Sequence, residues 1–254
     1  MKMVNSTMHL LKECFMEYRN SFVKYRKQFF ILLTIYLLAF CSIFRANFTY
    51  MDDIGRTYAG YHGWLDWSRY GTEILATFLH MNWHLTDISP LPQMVACVIM
   101  AAAGILLLDV FSDGGEIKFF HIAAASLTAL APYFLGMISY KFDSPYMALS
   151  FFVCILPFLF RKKSTSVYML VSTACLIAMC VTYQASSGVY PLMVLFLSMR
   201  DLIGGGYKGE AEIHRNFVFM LFCISRVFLD VSDERQRSFN RALIEADSLC
   251  CRPI

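Results

Sequence analysis

Residues 88–108 read ISPLPQMVACVIMAAAGILLL, a run of 21 positions without a charged side chain. A helix rises 1.5 Å per residue, so about 20 apolar residues cross the roughly 30 Å hydrocarbon core of a bilayer. The run therefore predicts a membrane-spanning helix. Upstream, residues 29–44 read FFILLTIYLLAFCSIF between Lys27 and Arg45. That run is slightly short, but it extends through Ala46 and Phe48, which gives a first span over 29–48. Downstream, residues 119–140 and 144–160 are free of Asp, Glu, Lys and Arg and supply the third and fourth spans. Residues 164–199 are too many for one helix, and Ser186-Ser187-Gly188 with Pro191 favours a break there, which predicts a fifth and a shorter sixth span. A seventh candidate, 217–231, contains Arg226 and reads as a span, a half-buried hairpin or an interfacial helix.

Composition agrees with these runs. Of 254 residues, 57% are apolar and only 16% charged, and the mean hydropathy is +0.51, too high for an ordinary soluble domain. The fold class is all-α: a polytopic transmembrane bundle of six or seven spans with amphipathic interfacial helices. The net charge of +3 is small and implies no nucleic-acid partner. Cys41, Cys97, Cys154, Cys175, Cys180 and Cys223 sit in apolar runs, where cysteine packs as a small hydrophobe. No CxxC or Cys/His spacing suits zinc.

Residues 1–28 carry Leu11, Phe15, Tyr18, Phe22, Tyr25 and Phe29 at alternating steps of four and three, one apolar stripe on a helix, with Lys12, Arg19, Lys24, Arg26 and Lys27 off it. A basic amphipathic helix on an anionic membrane surface follows. The basic part is too long for a cleaved leader, and no small-residue cleavage pattern follows Phe44. With the N-terminus cytoplasmic, the inner segments hold Lys2, Lys12, Arg19, Lys24, Arg26, Lys27, Lys118, Arg161, Lys162, Lys163, Arg200, Lys208 and Arg215. The outer segments hold only Arg45, Arg56, Arg69 and Lys141. This is the bias expected when basic loops stay inside.

The outer segment 49–87 carries two adjacent acids at a membrane exit, Asp52 and Asp53, followed by Arg56 and by Tyr58, Tyr61, Trp64, Trp67 and Tyr70. Taken locally, an aspartate caps the next helix, Arg56 pairs with the acids, and the aromatics anchor in the headgroups. His80 and His84 read as interfacial packing. Two further segments fall on the same face: Lys141-Phe142-Asp143-Ser144-Pro145, in which Asp143 reads as a helix cap, and Tyr183-Gln184-Ala185-Ser186 at the end of the fifth span.

The order of these pieces, Asp52-Asp53 with Arg56, then Asp143-Ser144-Pro145-Tyr146-Met147-Ala148-Leu149-Ser150 into Leu156-Pro157-Phe158, then Tyr183-Gln184-Ala185, resembles the type II family of bacterial O-antigen glucosyltransferases. These are the phage-associated serotype-converting enzymes. The resemblance implies a GT-C type glycosyltransferase of the bacterial inner membrane that takes glucose from a polyprenyl-phosphate donor and places it on O-antigen repeat units of lipopolysaccharide at the periplasmic face. It assigns the catalytic carboxylate to Asp52 or Asp53; Arg56, Arg69, Asp143, Tyr183 and Gln184, on the same outer face, are the candidates for substrate binding. An acceptor hydroxyl loses a proton as it attacks, and a carboxylate can take it, while cations stabilise the leaving phosphate. Two aspartates offer too few oxygens for a hard cation, so neither metal nor cofactor is expected. Family members continue through more spans, whereas this chain turns polar over 200–254, and a truncated, frame-shifted or degenerate copy is the alternative. The alternative function is then a non-catalytic, glycolipid-binding membrane protein.

Overall fold

The computed structural model describes residues 16, 18–112 and 115–203, and every regular element among them is helical. The order is α1 (Arg26–Ala46), α2 (Asp53–Ala59), α3 (Tyr70–His80), α4 (Leu91–Ser112), α5 (Phe119–Leu130), α6 (Pro132–Ser139), α7 (Ser144–Ile155), α8 (Thr165–Thr182) and α9 (Val189–Ile203). Short 3-10 turns occupy Leu65–Trp67, Leu156–Phe160 and Gln184–Gly188.

Among the described residues, α1, α4 and α8 are each long and apolar enough to cross a membrane. The expected third span is broken. Helices α5 and α6 meet at 50°, and together they make a fourth crossing if the bent pair is one span. The break falls where Pro132 opens α6, because proline lacks the N–H that would continue the α5 ladder. The expected fourth and sixth spans are shorter helices: α7 runs into a 3-10 turn ending at Phe160, and α9 has 15 residues. Length and composition therefore support three or four spans among the described residues, fewer than six or seven. The candidate at 217–231 and the rest of the polar tail after Ile203 lie outside them, as do residues 1–15.

Lipid chains are as apolar as leucine, so helices in a bilayer are held by close packing and hydrogen bonds rather than by escape from water. Helix α4 is built for that. Its Ala96, Ala101, Ala103 and Gly104 let neighbours approach, and a Cβ on Gly104 would lie 2.7 Å from Leu32 Cδ1 of α1. Gln93 Nε2 of α4 donates to the Ile138 carbonyl at 2.9 Å, and the Tyr36 hydroxyl donates to the Ala125 carbonyl at 3.3 Å. One apolar core joins α1, α4, α5, α6 and α7, and a second joins α4, α7, α8 and α9. The described part of the N-terminal stripe packs on the bundle: Tyr18 meets the Phe152 ring edge-on at 5.5 Å, and Tyr25 and Phe29 are buried.

The segment between α1 and α4 folds over one end of the bundle. Asn47, in the left-handed conformation, ends α1 by donating its N–H to the Ile43 carbonyl. Helix α3 is inverted relative to a soluble helix: it buries Thr72, Glu73, Ala76 and His80 and exposes Ile74 and Phe78. Beneath it Trp64, Ala76, Leu85, Phe142 and Tyr146 form a small core of their own.

Candidate functional site

Both adjacent acids sit where α1 gives way to α2, and the helical turn separates them. Asp52 takes the N-cap position in a helical conformation, makes no side-chain capping bond and is exposed. Asp53, the next residue, points inward and is fully buried. Its Oδ2 accepts the Lys141 backbone N–H at 2.7 Å, and its Oδ1 has no hydrogen-bond partner. Burial pushes the Asp53 carboxyl up to about 6, against the Lys141 amide and the Arg56 charge, which favour ionisation, and with the Asp143 charge, which opposes it.

Arg56 shares the buried face of α2 with Asp53, yet its partner is Asp143, not the nearby acids expected from helical spacing. Its Nη1 donates to Asp143 Oδ2, its Nε donates to the His62 carbonyl at 3.3 Å, and its guanidinium lies 4.6 Å from the centre of the Trp64 ring. The chain can return for this because Gly60, at φ +62°, turns it after α2, and the His62 carbonyl and Trp64 come back over Arg56. Trp64 Nε1 donates to Asp143 Oδ1 at 2.5 Å.

Asp143 therefore does not cap α7 as its Asp-Ser-Pro context suggests. It occupies the N-cap position with φ −90° and ψ −23°, and no side-chain capping bond forms. Pro145, two residues on, has no N–H to offer a cap, and both carboxylate oxygens are committed to Arg56 and Trp64.

Arg69 completes the cluster from the other side. Its Nη1 stands 3.7 Å from Asp143 Oδ1, its guanidinium lies 4.7 Å from the centre of the Tyr183 ring, and its Nε has no partner. Gln184 Nε2 donates to the Trp67 carbonyl at 3.1 Å, and Thr72 Oγ1 donates to the Thr182 carbonyl at 2.9 Å, so the end of α8 is tied to the same segment. Asp53, Arg56, Arg69, Asp143, Tyr183 and Gln184 thus gather at one end of the bundle, and Asp52, at the same end, is exposed. Four buried polar atoms here have no hydrogen-bond partner: Asp53 Oδ1, Arg69 Nε, Ser144 Oγ and the Tyr146 hydroxyl. Buried polar atoms are ordinarily bonded, so such a group marks a place for a polar ligand.

Several participants escape a reading by local spacing. Trp64 reads as a headgroup anchor and is instead fully buried against Asp143. Lys141 contributes its backbone amide to Asp53, while its Nζ pairs with Asp87 at 2.9 Å. His62 Nδ1 lies 2.8 Å from Glu73 Oε1. His80 stacks on Phe142, and burial lowers its pKa; His84 is exposed. The only signal for Lys141 was its membership of the Lys-Phe-Asp-Ser-Pro turn. Among the described residues no group of three or more His, Cys, Asp or Glu side chains is placed to hold a metal ion.

An uncharacterized 55.3 kDa protein in the gtrB 5′ region of Salmonella phage P22 is 26% identical over 175 residues, which cover 68% of this chain. The match spans 34% of that relative's length. No solved structure matches the chain. The family model for glucosyl transferase GtrII matches residues 41–229, a stretch that contains every residue of the cluster, and the chain belongs to that family.

Proposed function

We propose that this chain is the site-bearing part of a membrane glucosyltransferase that moves glucose from a polyprenyl-phosphate donor to O-antigen repeat units at the periplasmic face of the inner membrane. The observation that carries the reading is a buried Asp53 with one unpaired oxygen, close to Arg56, which Asp143 already neutralises, in a cluster where Arg69 faces the same Asp143. A carboxyl poised near 6 is ionised at neutral pH and still basic enough to take a proton, which suits a general base.

In the step we assign, the acceptor hydroxyl oxygen bonds to the anomeric carbon and its proton passes to Asp53. The bond from that carbon to the phosphate oxygen breaks, and the electron pair leaves with the polyprenyl phosphate. Arg56 is spent on Asp143, so it orients Asp143 and braces the wall of the site. Arg69 retains an unpaired N–H and partial exposure, and it is the cation that meets the leaving phosphate. Tyr183 holds the Arg69 plane by stacking, and Gln184 fixes the Trp67 loop beside it.

Glucose transfer from polyprenyl-phosphate glucose, measured in membranes carrying Asp53→Asn and Asp52→Asn, tests this. The Asp53 variant is expected to lose at least a hundredfold, in the range usual for a general base, and the exposed Asp52 variant to retain most activity. Full activity in Asp53→Asn would remove the proposal. A reporter fused after Tyr50 that answers from the cytosol would remove the periplasmic placement. The phage relative is about three times as long as the matched stretch, so the assay is made with the chain as it stands and again with the remaining spans supplied.

A further inference from the structure

Behind the arginine cluster, on the far side of His62, an open groove of about 640 Å³ runs along α3 and is lined by Glu73, Thr77, Phe78, Met81, Asn82 and Trp83. None of these residues belongs to the cluster around Asp53. The groove has the make-up of a small-molecule site, mostly apolar walls with a few fixed polar groups, and its size falls in the usual range of about 300–1,000 Å³.

We propose that this groove binds an uncharged glycan, and that it is the subsite for the acceptor; the second half of this statement rests on the function proposed above. Two observations carry it. Trp83 is 68% exposed, and its indole is stacked on the His62 ring at 5.6 Å and 23°, so one face is fixed against the protein and the other is open. A rigid aromatic face of that kind receives the C–H face of a sugar ring at little cost in ordering. Glu73 lines the groove while nine-tenths buried, with Oε1 beside His62 and Oε2 without any partner. An unpaired buried carboxylate oxygen is costly, and a sugar hydroxyl is the donor that would relieve it.

Charge selects among possible occupants. No Lys or Arg is among the residues lining the groove, so the lining offers no cation to a phosphate or an anionic lipid headgroup, while Arg69 lies in the neighbouring cluster and favours one. The two substrates are thereby separated by sign: the donor phosphate toward Arg69, the uncharged acceptor toward Glu73. A structural bridge joins the two places, since the residue whose ring backs Trp83 also receives Arg56 Nε on its carbonyl.

The test is saturation-transfer NMR on the purified full chain in detergent, with maltotriose and cellotriose as uncharged probes and glucose 1-phosphate as an anionic one. Saturable transfer to at least one trisaccharide is expected, weakened roughly tenfold by Trp83→Ala and by Glu73→Gln, as for loss of a charged hydrogen bond or a contact anchor. Trp83 is exposed, so its variant is expected to fold; Trp83→Phe is expected to restore most of the binding. No saturable binding of either trisaccharide, or equal binding by wild type and Trp83→Ala, would overturn the groove. A Trp83→Ala variant that binds trisaccharide normally but loses partition into phosphatidylcholine vesicles would make the face a lipid contact instead. Glycan binding retained in a protein whose transfer is unaffected by Asp53→Asn would leave the groove standing and remove the catalytic assignment.

Discussion

Burial raises the Asp53 carboxyl because the charged form loses water, and the backbone amides of Lys141 and Phe142 do not replace it. The sign of the resulting pH dependence follows from the order of the two values. The folded-state value, about 6, lies above the ordinary 3.8, so the native state binds the proton more tightly. The cost of an ionised Asp53 is absent below the ordinary value, grows through the interval and is fully present above about 6. Thermal unfolding of Asp53→Asn in detergent is therefore expected a few degrees above wild type at pH 7.5, with the gap closing toward pH 4, while transfer is lost. The activity of the wild type is expected to fall as pH drops through about 6, because the base becomes protonated. The two arginines separate by a different measurement. Arg56→Ala removes the closest cation from the buried Asp143 and leaves it only Trp64 and the more distant Arg69, at a cost of up to about 3–5 kcal/mol in stability. Arg69→Ala is expected to keep the unfolding midpoint within a few degrees and to lower kcat/KM for the phosphate-linked donor.

Helices α1 and α4 were legible as whole elements because uncharged length is all that a crossing demands. The kink between α5 and α6 was missed because a run of apolar residues reports solvent and not direction; Pro132 was the available signal. The break before α9 was legible, because Ser186-Ser187-Gly188 breaks a helix by local chemistry that needs no tertiary partner. At the site, the residues of each short motif could be named from sequence, but the pairing of Asp53 with the Lys141 amide crosses 88 positions, beyond any helical spacing rule. Asp143 looked like a cap because the pattern for one is local, whereas its real partners are Arg56 and Trp64, far away in the chain. Element packing offers its own test at Gly104, where a Cβ would meet Leu32 at 2.7 Å. Leu32 is fully buried and has little room to turn away. Gly104→Val is expected to destabilise the chain by about 1–3 kcal/mol through overpacking of α1 on α4, read as a lowered unfolding midpoint with helical content unchanged.

Across the whole molecule, the segment carrying α2 and α3 is held to the bundle by few polar ties, and Asp143 is the one at which they converge. Asp53 reaches the Lys141 amide, Thr72 and Gln184 join the segment to the end of α8, and Arg56, Trp64 and Arg69 all face the single carboxylate at the start of α7. The side chains of Arg56 and Asp143 are 6% and 4% exposed, so this pair is desolvated on both sides. A buried pair stabilises little relative to apolar residues of the same size, but breaking one half leaves a charge without water or partner. Asp143→Ala is accordingly expected to release the segment while the bundle holds. Hydrogen exchange should accelerate at the amides of α2 and α3 and stay slow in α4 and α8, whose cores lie elsewhere. The double variant Arg56→Met with Asp143→Leu removes both charges together and should restore much of the lost protection. Equal acceleration throughout the chain in Asp143→Ala would mean that the segment and the bundle unfold as one unit. The carboxylate would then be part of the global fold and not a clasp on the segment that carries Asp53.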